Sequence, residues 1–330
     1  MTARRRFALG TAALAFLLVV ATAHSLDLQA HRGGRGLMPE NTLPAFANAL
    51  ALGVTTLELD CAITRDGVVV VSHDASLNPD ITRGNDGQWL ARTGPPIWHL
   101  TYEELQRYDV GRIRPGSDYA ARFPHQRSVD GTRVPRLADL FDLVRRAGND
   151  EVRFNIETKV TPEHPERSAD PATFARALLA VIRAAGMERR VSIQSFDWRT
   201  LRLVQAEAPG IPTVYLSAQQ DFMDNILSHR ERSPWTAGFD ARDYGASVPR
   251  MVRAAGGAVW SPYYGEATRA AVEEAQRLGL KVVVWTVNEE AGLRRMIDLR
   301  VDGIISDYPD RLRAAAARAG LPLPRPTPLP

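Results

Sequence analysis

Cysteine and lysine are scarce in this sequence, and each scarcity narrows the chemistry that the chain can perform. Cys61 is the single cysteine among 330 residues, which excludes an intrachain disulfide and a cysteine-based metal site. Of the 41 basic residues, only Lys159 and Lys281 are lysines. Because arginine supplies nearly all of the positive charge, Lys159 is of interest as a compact point charge that could meet a phosphate.

The residue patterns of several enzyme classes are absent. The sequence contains no HExxH or paired-histidine zinc spacing, no GxSxG turn and no Walker loop. These absences argue against a zinc peptidase, a nucleophile-elbow hydrolase and a P-loop nucleotide hydrolase. Gly33-Gly34-Arg35-Gly36 is too irregular for a dinucleotide-binding fingerprint.

The N-terminus has the pattern of an export signal. Arg4–Arg6 is a positively charged region, Phe7–Val20 is apolar, and Ala21-Thr22-Ala23 is an A-x-A cleavage site. We predict a signal peptide over residues 1–23 and a periplasmic or secreted protein with no stable membrane anchor after processing. The alternative is a retained signal anchor, although the apolar stretch is shorter than the ~20 residues of a spanning helix. A partial twin-arginine match leaves the export route open.

Net charge depends on this segment. Residues 1–23 contain three arginines and no acid, so their removal takes the formal net charge from +3 to zero. A neutral chain gives no electrostatic reason to expect nucleic-acid binding.

Short apolar runs alternate with longer amphipathic stretches, which indicates repeated βα units and a TIM (β/α)₈ barrel in the α/β class. Nine candidate strands compete for eight places: Leu26–Ala30, Thr56–Asp60, Val68–Ser72, Phe154–Glu157, Val191–Ser195, Thr213–Leu216, Ala258–Ser261, Lys281–Thr286 and Gly303–Ser306. The predicted helices are Pro44–Leu52, Leu137–Ala147, Pro171–Ala185, Trp198–Glu207, Glu266–Leu278 and Glu290–Leu299. The gap between the second and third strands is too short for a crossover helix, so we expect a missing helix or a local hairpin there.

Two segments depart from this rhythm. Residues 75–135 are rich in Gly, Pro, Asp and Arg and are predicted to form a small subdomain, with a helix at Tyr102–Tyr108, inserted after the third strand and lying over the barrel mouth. The Pro-rich residues 321–330 are predicted to be a disordered tail. The barrel domain therefore spans residues 24–320.

Carboxylates alternate with apolar residues in two of the strands. Glu58 and Asp60 share one face of the second strand, and Asn155, Glu157 and Lys159 share one face of the strand at 154–157. Inward-facing carboxylates repel each other and lose hydration, so they need a cation. Three of them suit Mg²⁺ or Ca²⁺, whereas a structural cluster of salt bridges is the alternative.

Two histidines end apolar strands. His31 follows the first strand and His73 follows the third, and the C-terminal ends of strands carry the chemistry of barrel enzymes. A pair of histidines can serve as general acid and base near neutral pH.

These residues belong to a set of motifs that resembles the glycerophosphodiester phosphodiesterase family. The motifs occur in the family's order over about residues 26–312: Ala30-His31-Arg32-Gly33, Pro39-Glu40-Asn41-Thr42, Glu58-x-Asp60, Ser72-His73-Asp74, Asn155-Ile156-Glu157-Thr158-Lys159, Gln194-Ser195-Phe196, Trp285-Thr286-Val287-Asn288 and Asp302-Gly303-Ile304-Ile305-Ser306-Asp307-Tyr308-Pro309. Ser306 stands where the family usually has threonine.

The resemblance implies metal-dependent hydrolysis of glycerophosphodiesters to glycerol 3-phosphate and an alcohol. It implies one divalent cation, Ca²⁺ or Mg²⁺, a small-molecule substrate, and these site residues: metal ligands Glu58, Asp60 and Glu157, acid–base residues His31 and His73, and substrate-binding residues Arg32, Lys159 and Trp285. The attacking oxygen, from water or from the substrate's own glycerol 2-hydroxyl, and the oligomeric state stay open.

Two other functions compete with this interpretation. A lysophospholipase D on the same barrel would need an apolar patch for acyl chains, and a non-catalytic binding module would be expected to have lost a catalytic residue. We expect a pocket that tolerates several alcohols, unless Trp89, Trp98 and Tyr102 of the insertion form an aromatic cage for choline.

Overall fold

A barrel of eight parallel strands forms the centre of the computed structural model, which describes residues 25–227 and 232–329. The strands are β1 Asp27–Ala30, β2 Thr56–Ile63, β3 Val69–Val71, β4 Arg153–Thr158, β5 Val191–Ser195, β6 Thr213–Ser217, β7 Gln219–Gln220, β8 Met223–Asp224, β9 Val259–Pro262, β10 Lys281–Val284 and β11 Gly303–Ser306. The barrel order is β1-β2-β4-β5-β6-β9-β10-β11, and β11 pairs back with β1. The predicted TIM barrel is therefore confirmed.

Helices outside the barrel follow its strands, and two short helices, Tyr102–Leu105 and Asp118–Arg122, lie in the insertion. In chain order the helices are α1 Leu43–Leu52, α2 Tyr102–Leu105, α3 Asp118–Arg122, α4 Leu137–Arg146, α5 Pro171–Ala184, α6 Trp198–Glu207, α7 Val248–Ala254, α8 Arg269–Arg277, α9 Glu290–Asp298 and α10 Pro309–Arg318. The helix predicted from Glu266 begins at Arg269, because the Thr268 side chain accepts a hydrogen bond from Ala271 N and caps the helix there. Helices α3, α7 and α10 were not predicted, and the predicted helix Tyr102–Tyr108 ends at Leu105. In the part of the chain that the structure describes, no helix is long and apolar enough to cross a membrane.

The ninth candidate strand is explained by a hairpin. Strand β3 pairs antiparallel with the end of β2, so that Cys61 lies opposite Val71, and Thr64 N donates to Val68 O in the turn. An antiparallel partner joined by a short turn needs no crossover helix. Eight strands thus form the barrel, and β3 pairs with the end of β2 outside the ring of parallel strands.

The interior of the barrel is divided into two unlike halves. The inward faces of β1, β2, β4 and β5 are polar and carry Gln29, Glu58, Asp60, Asn155, Glu157 and Gln194, which are all buried. The inward faces of β6, β9, β10 and β11 carry a separate apolar cluster of Val214, Val259, Val283 and Ile305, with Trp285 packed against it. The alternate residues of β2 and β4, including Leu57 and Phe154, pack outward in the main core under the helices.

The insertion has its own small core. Leu77, Ile97, Leu105 and Val134 pack with Val70 of the β2–β3 hairpin, which fixes the insertion on the side of the barrel that carries the polar half. Its residues Tyr119 and Arg122 reach the barrel mouth.

The tail makes contacts with the barrel domain. Residues 321–329 contain no helix or strand, yet Thr327 N donates to Leu50 O, and Asn149 Nδ2 donates to Thr327 Oγ1 at 2.8 Å. A disordered tail would not have these fixed partners, although the domain boundary at residue 320 stays a prediction. The predicted signal peptide lies outside the described residues.

Removing a core aromatic ring should test the outer packing. Phe141 and Phe154 are fully buried and meet edge to face with centroids 4.9 Å apart, so Phe141→Ala should lower the free energy of unfolding by about 3–5 kcal/mol. Urea unfolding measures the change, and Leu323→Ala at an exposed site should change it by less than about 0.5 kcal/mol. Equal stabilities of the two variants would contradict this packing.

Candidate active site

A cavity of about 650 Å³ opens over the C-terminal ends of the barrel strands. It brings together most of the site residues expected from sequence. These lie on β2 and β4 or in the segments that follow β1, β3, β4 and β10: His31, Arg32, Glu58, His73, Glu157, Lys159 and Trp285. Asp60 lies just beneath this lining, where its Oδ2 is 3.3 Å from Arg32 Nε.

Three carboxylates converge at the base of the cavity. Asp60 and Glu157 are register partners on adjacent parallel strands, and Glu58 lies two residues before Asp60 on the same inward face. One oxygen from each of the three residues lies within 4.8 Å of the other two, and all three side chains are buried. The alternation of β2 and β4 therefore places three acids around one point.

The residues at this point fit a hard divalent cation. Asp60 Oδ1 is buried without a hydrogen-bond partner, and carboxylate oxygens are the ligands that Ca²⁺ and Mg²⁺ prefer. Burial and the neighbouring Asp60 raise the pKa of Glu58 well above its ordinary value. Burial also raises the pKa of Glu157 to about 7. Two of the three acids thus resist ionisation in the protein alone, and a bound cation would favour their charged forms.

Asp60 is held ionised by neighbouring cations. Burial alone would raise its pKa, but Arg32 and Lys159 together hold the pKa far below the usual range for aspartate. Asn41 adds to this effect, because its Nδ2 donates to Asp60 Oδ2 at 3.0 Å.

Arg32 is positioned by its backbone and by Glu40. Its φ of 51° is in the left-handed region, which its backbone N–H stabilises by donating to Glu58 Oε2 at 2.8 Å. Arg32 Nη1 donates to Glu40 Oε1 at 2.7 Å. The next residue, Gly33, has a φ of 80°, which favours glycine. A Cβ at this position would also lie only 2.8 Å from the Ala45 Cβ.

Lys159 is a second cation beside the carboxylates. Its Nζ donates to Glu157 Oε1 at 2.7 Å and is 3.8 Å from Asp60 Oδ1. The two cations therefore lie beside the predicted metal ligands, where a phosphate bound over those ligands would meet both.

His31 is oriented by Asp307, which directly follows the last strand of the barrel. Its Nδ1 is hydrogen-bonded to Asp307 Oδ1 at 2.5 Å, and that carboxylate also accepts from Arg35 Nε at 2.6 Å and from Asn288 Nδ2 at 2.7 Å. An ionised Asp307 accepts this bond, so Nδ1 carries the proton and Nε2 is left as the basic nitrogen. Nε2 is 4.0 Å from Glu58 Oε2.

His73 has a similar arrangement. Its Nδ1 is hydrogen-bonded to Asp74 Oδ1 at 2.7 Å, and Asn78 Nδ2 donates to Asp74 Oδ2 at 2.7 Å. Burial, with Arg32 and Lys159 nearby, lowers the pKa of His73 to about 3. Burial and Arg35 lower the pKa of His31 to about 4. Both imidazoles are therefore neutral in the free protein at pH 7.

Sequence reasoning missed the residues that position these groups. Asp307, Asp74, Glu40 and Asn41 stand inside motifs that were recognised, and each was given no role. A polar residue inside a recognised motif indicates a side chain that positions a functional group. The sequence alone does not show which functional side chain it contacts.

The cavity has a second, aromatic wall. It is formed by rings that follow β5, β6, β9 and β10: Phe196, Phe222, Tyr263, Tyr264 and Trp285. The three residues considered for an aromatic cage around choline do not form one at this cavity. Trp98 packs against the main core, Tyr102 packs in the core of the insertion, and Trp89 has Arg83 stacked on it; none of the three lines this cavity.

Comparison with known proteins agrees with this geometry. Residues 31–311 match the model of the glycerophosphoryl diester phosphodiesterase family. The chain belongs to that family. The matched range begins at His31 and ends just after Asp307, so it includes every site residue described above.

Individual relatives cover nearly the same range. A glycerophosphodiester phosphodiesterase from Caldanaerobacter subterraneus subsp. tengcongensis is 29% identical over 88% of this chain and 98% of its own length. A lysophospholipase D from Mus musculus is 26% identical over 87% of this chain and 81% of its own length. A solved structure from Silicibacter pomeroyi DSS-3, provisionally named a glycerophosphoryl diester phosphodiesterase, is 38% identical with a TM-score of 0.80, covering 90% of this chain and 95% of that one.

The lowered pKa of His31 predicts a pH-dependent stability. The unfolded chain protonates this histidine near its ordinary pKa of 6.5, but the folded protein does so only near pH 4. The folded state therefore loses stability as the pH falls through this window, by at most about 3 kcal/mol.

Urea unfolding in chelator at about pH 7.5 and about pH 4.5 measures this loss. It should be smaller in His31→Asn than in the wild type, because the variant lacks the titrating group. An equal loss in both proteins would contradict the lowered pKa.

Proposed function

We propose that this protein hydrolyses glycerophosphodiesters to glycerol 3-phosphate and an alcohol. The observation that carries the proposal is the convergence, in one cavity of a family member, of three buried carboxylates, two cations and two oriented histidines. A diester phosphate needs charge neutralisation and two proton transfers during its hydrolysis, and the cavity supplies groups for both.

Glu58, Asp60 and Glu157 would hold one divalent cation, Ca²⁺ or Mg²⁺. When bound, such an ion acts as a Lewis acid that offsets negative charge on the phosphate oxygens. The unpartnered Asp60 Oδ1 supports this assignment, as does the raised pKa of Glu58 and of Glu157, because each feature is costly in a cluster that serves only to stabilise the fold.

Arg32 and Lys159 would bind the phosphate of the substrate. Both side chains are largely buried, and each is already fixed by carboxylates, Arg32 by Glu40 and Lys159 by Glu157. Cations held in place before the substrate binds need little rearrangement during the reaction, which is the basis of electrostatic catalysis.

His31 and His73 would transfer the protons. One Nε2 removes the proton from the attacking oxygen, and the other histidine gives a proton to the oxygen of the leaving alcohol as its bond to phosphorus breaks. Because both imidazoles are neutral in the free protein, the first is ready to act as a base. The negative charge of the bound phosphate raises the pKa of the second, so that it can carry the proton that it donates.

Lysophospholipase D activity is the second candidate function, because the aromatic wall of the cavity is an apolar surface that the acyl chain of a lysophospholipid could contact. A comparison of glycerophosphocholine with lysophosphatidylcholine as substrates separates the two activities. A non-catalytic binding module would be expected to lack part of the machinery, but the carboxylates, cations and histidines are all present.

Metal dependence gives the first test of the proposed function. Chelation should abolish hydrolysis of glycerophosphocholine, and Glu157→Gln should lower kcat/KM at least ~10²-fold, about 2.7 kcal/mol, because one oxygen ligand is lost. Glu273→Gln on the exposed face of α8 is the matched control and should leave kcat/KM unchanged. Full activity in excess chelator would refute the metal assignment.

The histidines give the second test. His31→Ala and His73→Ala should each lower kcat/KM at least ~10²-fold, and the double variant should lose far less than the product of the two factors, because paired proton transfers act as a unit. Near-normal turnover in either single variant, measured at several pH values, would remove that residue from the mechanism.

Export is a separate part of the proposal. The charged, apolar and A-x-A segments of residues 1–23 support cleavage after Ala23 and a mature protein in the periplasm or outside the cell. N-terminal sequencing of the active protein should begin at His24, and Met1 on active, membrane-bound protein would overturn the proposal.

A further inference from the structure

The mouth of the cavity is divided in the same way as the barrel interior beneath it. The histidines, carboxylates and cations lie on or after β1 to β4. Most of the aromatic residues follow β6, β9 and β10, and Phe196 follows β5. A phosphodiester bound at the charged half has two substituents, the glycerol and the leaving alcohol, and the rings line the same cavity within which one of them would extend.

The charge of the loops in the aromatic half is also distinctive. Residues 217–227, 261–268 and 283–288 contain no Lys, Arg or His, although the chain has 41 Lys and Arg residues. The same loops contain Asp221, Asp224 and Glu266. These loops therefore combine rings with negative charge.

Phe222 is the outermost of these rings. Its exposed fraction is 64%, and the other two exposed large hydrophobic residues in the described part of the chain lie in the tail. Its ring meets Tyr263 at 5.3 Å, and Tyr263 in turn contacts Tyr264 at 4.8 Å and Trp285 at 5.7 Å. We call these four residues the aromatic rim.

The position of Phe222 is fixed by hydrogen bonds to the neighbouring loop. Phe222 lies in the turn between β7 and β8, and Glu266 Oε1 accepts from Gln219 N at 2.7 Å and from Gln220 Nε2 at 2.8 Å. The ring is thus held at the cavity edge by a built structure, and its exposure is a property of that structure.

The aromatic rim differs from other rings in this protein. Several aromatic residues elsewhere have an arginine stacked on them, as Arg122 is on Tyr119 and Arg311 is on Tyr308. Among the residues that the structure describes, no arginine or lysine stacks on a ring of the aromatic rim. Its π faces are therefore available to a cation from another molecule.

We propose that the aromatic rim binds a quaternary ammonium group on the leaving alcohol, so that the enzyme prefers choline-type glycerophosphodiesters. Aromatic faces with acidic residues beside them attract such a cation, whereas the uncharged glycerol arm has no comparable attraction to them. The inference rests on the proposed function, and it replaces the expectation of a pocket that is indifferent to the alcohol.

A neutral isostere separates charge from shape. The enzyme should hydrolyse glycerophosphocholine with a kcat/KM about tenfold above that of glycerophospho-3,3-dimethylbutanol, which has the same shape without the charge. Phe222→Leu should reduce this ratio to about twofold, whereas Phe222→Trp should keep it. Phe239→Leu, an aromatic-to-leucine change away from the cavity, is the matched control and should leave the ratio unchanged.

Binding of tetramethylammonium tests the rim without catalysis. Quenching of tryptophan fluorescence should show saturable binding to the wild type and to Phe239→Leu, with the affinity at least about fivefold weaker in Phe222→Leu. Absence of binding to the wild type would overturn the inference.

The outcomes distinguish this inference from the proposed function. Equal kcat/KM for the two esters in the wild type would reject the cation site and leave the hydrolase intact. Failure to hydrolyse any glycerophosphodiester would reject the proposed function, while the binding measurement would still decide whether the rim holds a cation. If Phe222→Leu lowered hydrolysis of lysophosphatidylcholine and of the neutral ester as much as that of glycerophosphocholine, the rim would be an apolar chain site and the inference would be wrong.

Discussion

Mutual repulsion among Glu58, Asp60 and Glu157 is the constraint on which the rest of the site depends. Three carboxylates buried within reach of one another would destabilise the barrel unless other groups offset their charge. The neighbouring residues respond to that need: Arg32 N and Gln194 Nε2 donate to Glu58, Asn41 donates to Asp60, and Lys159 pairs with Glu157. Lys159, one of these groups, is also one of the two cations proposed to bind the phosphate.

This constraint explains why the barrel has two halves. Polar side chains such as Gln29 and Asn155 continue the hydrogen-bond network below the carboxylates, where Asn155 Nδ2 donates to Gln29 Oε1 and to Gln194 Oε1. The remaining strands fill the interior with Val214, Val259, Val283 and Ile305, which need no partners. In the proposed function, phosphate binding and proton transfer take place above the first half, and the leaving alcohol contacts rings that lie mainly above the second.

The sequence predicted those parts of the molecule that depend on local periodicity. The alternation in β2 and β4 assigned Glu58, Asp60 and Glu157 to inward faces, and the strands β5 and β11 were predicted with their observed bounds. Nine strands and a short gap also indicated the β2–β3 hairpin as one of two solutions. Contacts between distant residues were beyond this reasoning. Asp307 is 276 positions from His31, and no spacing rule relates the two.

The aromatic residues show the same limit. Trp98 and Tyr102 stood out by composition, yet both are packed in cores. Phe222 lies in a turn between two strands of two residues each, too short to be detected by their pattern. Its position at the cavity mouth depends on the β7–β8 hairpin that follows β6 and on the hydrogen bonds from this hairpin to Glu266. Only the folded structure reveals these contacts.

The bond between His31 and Asp307 joins the first strand of the barrel to the last. A chain that is synthesised from its N-terminus brings β2 and β4 together well before β11 exists, so the acidic cluster can assemble early. His31 obtains its orienting partner only when β11 closes the ring against β1. A truncated or incompletely folded polypeptide would thus keep the acids and both imidazoles but lack the aligned proton acceptor. Completion of the barrel is therefore the step that orients the His31 imidazole.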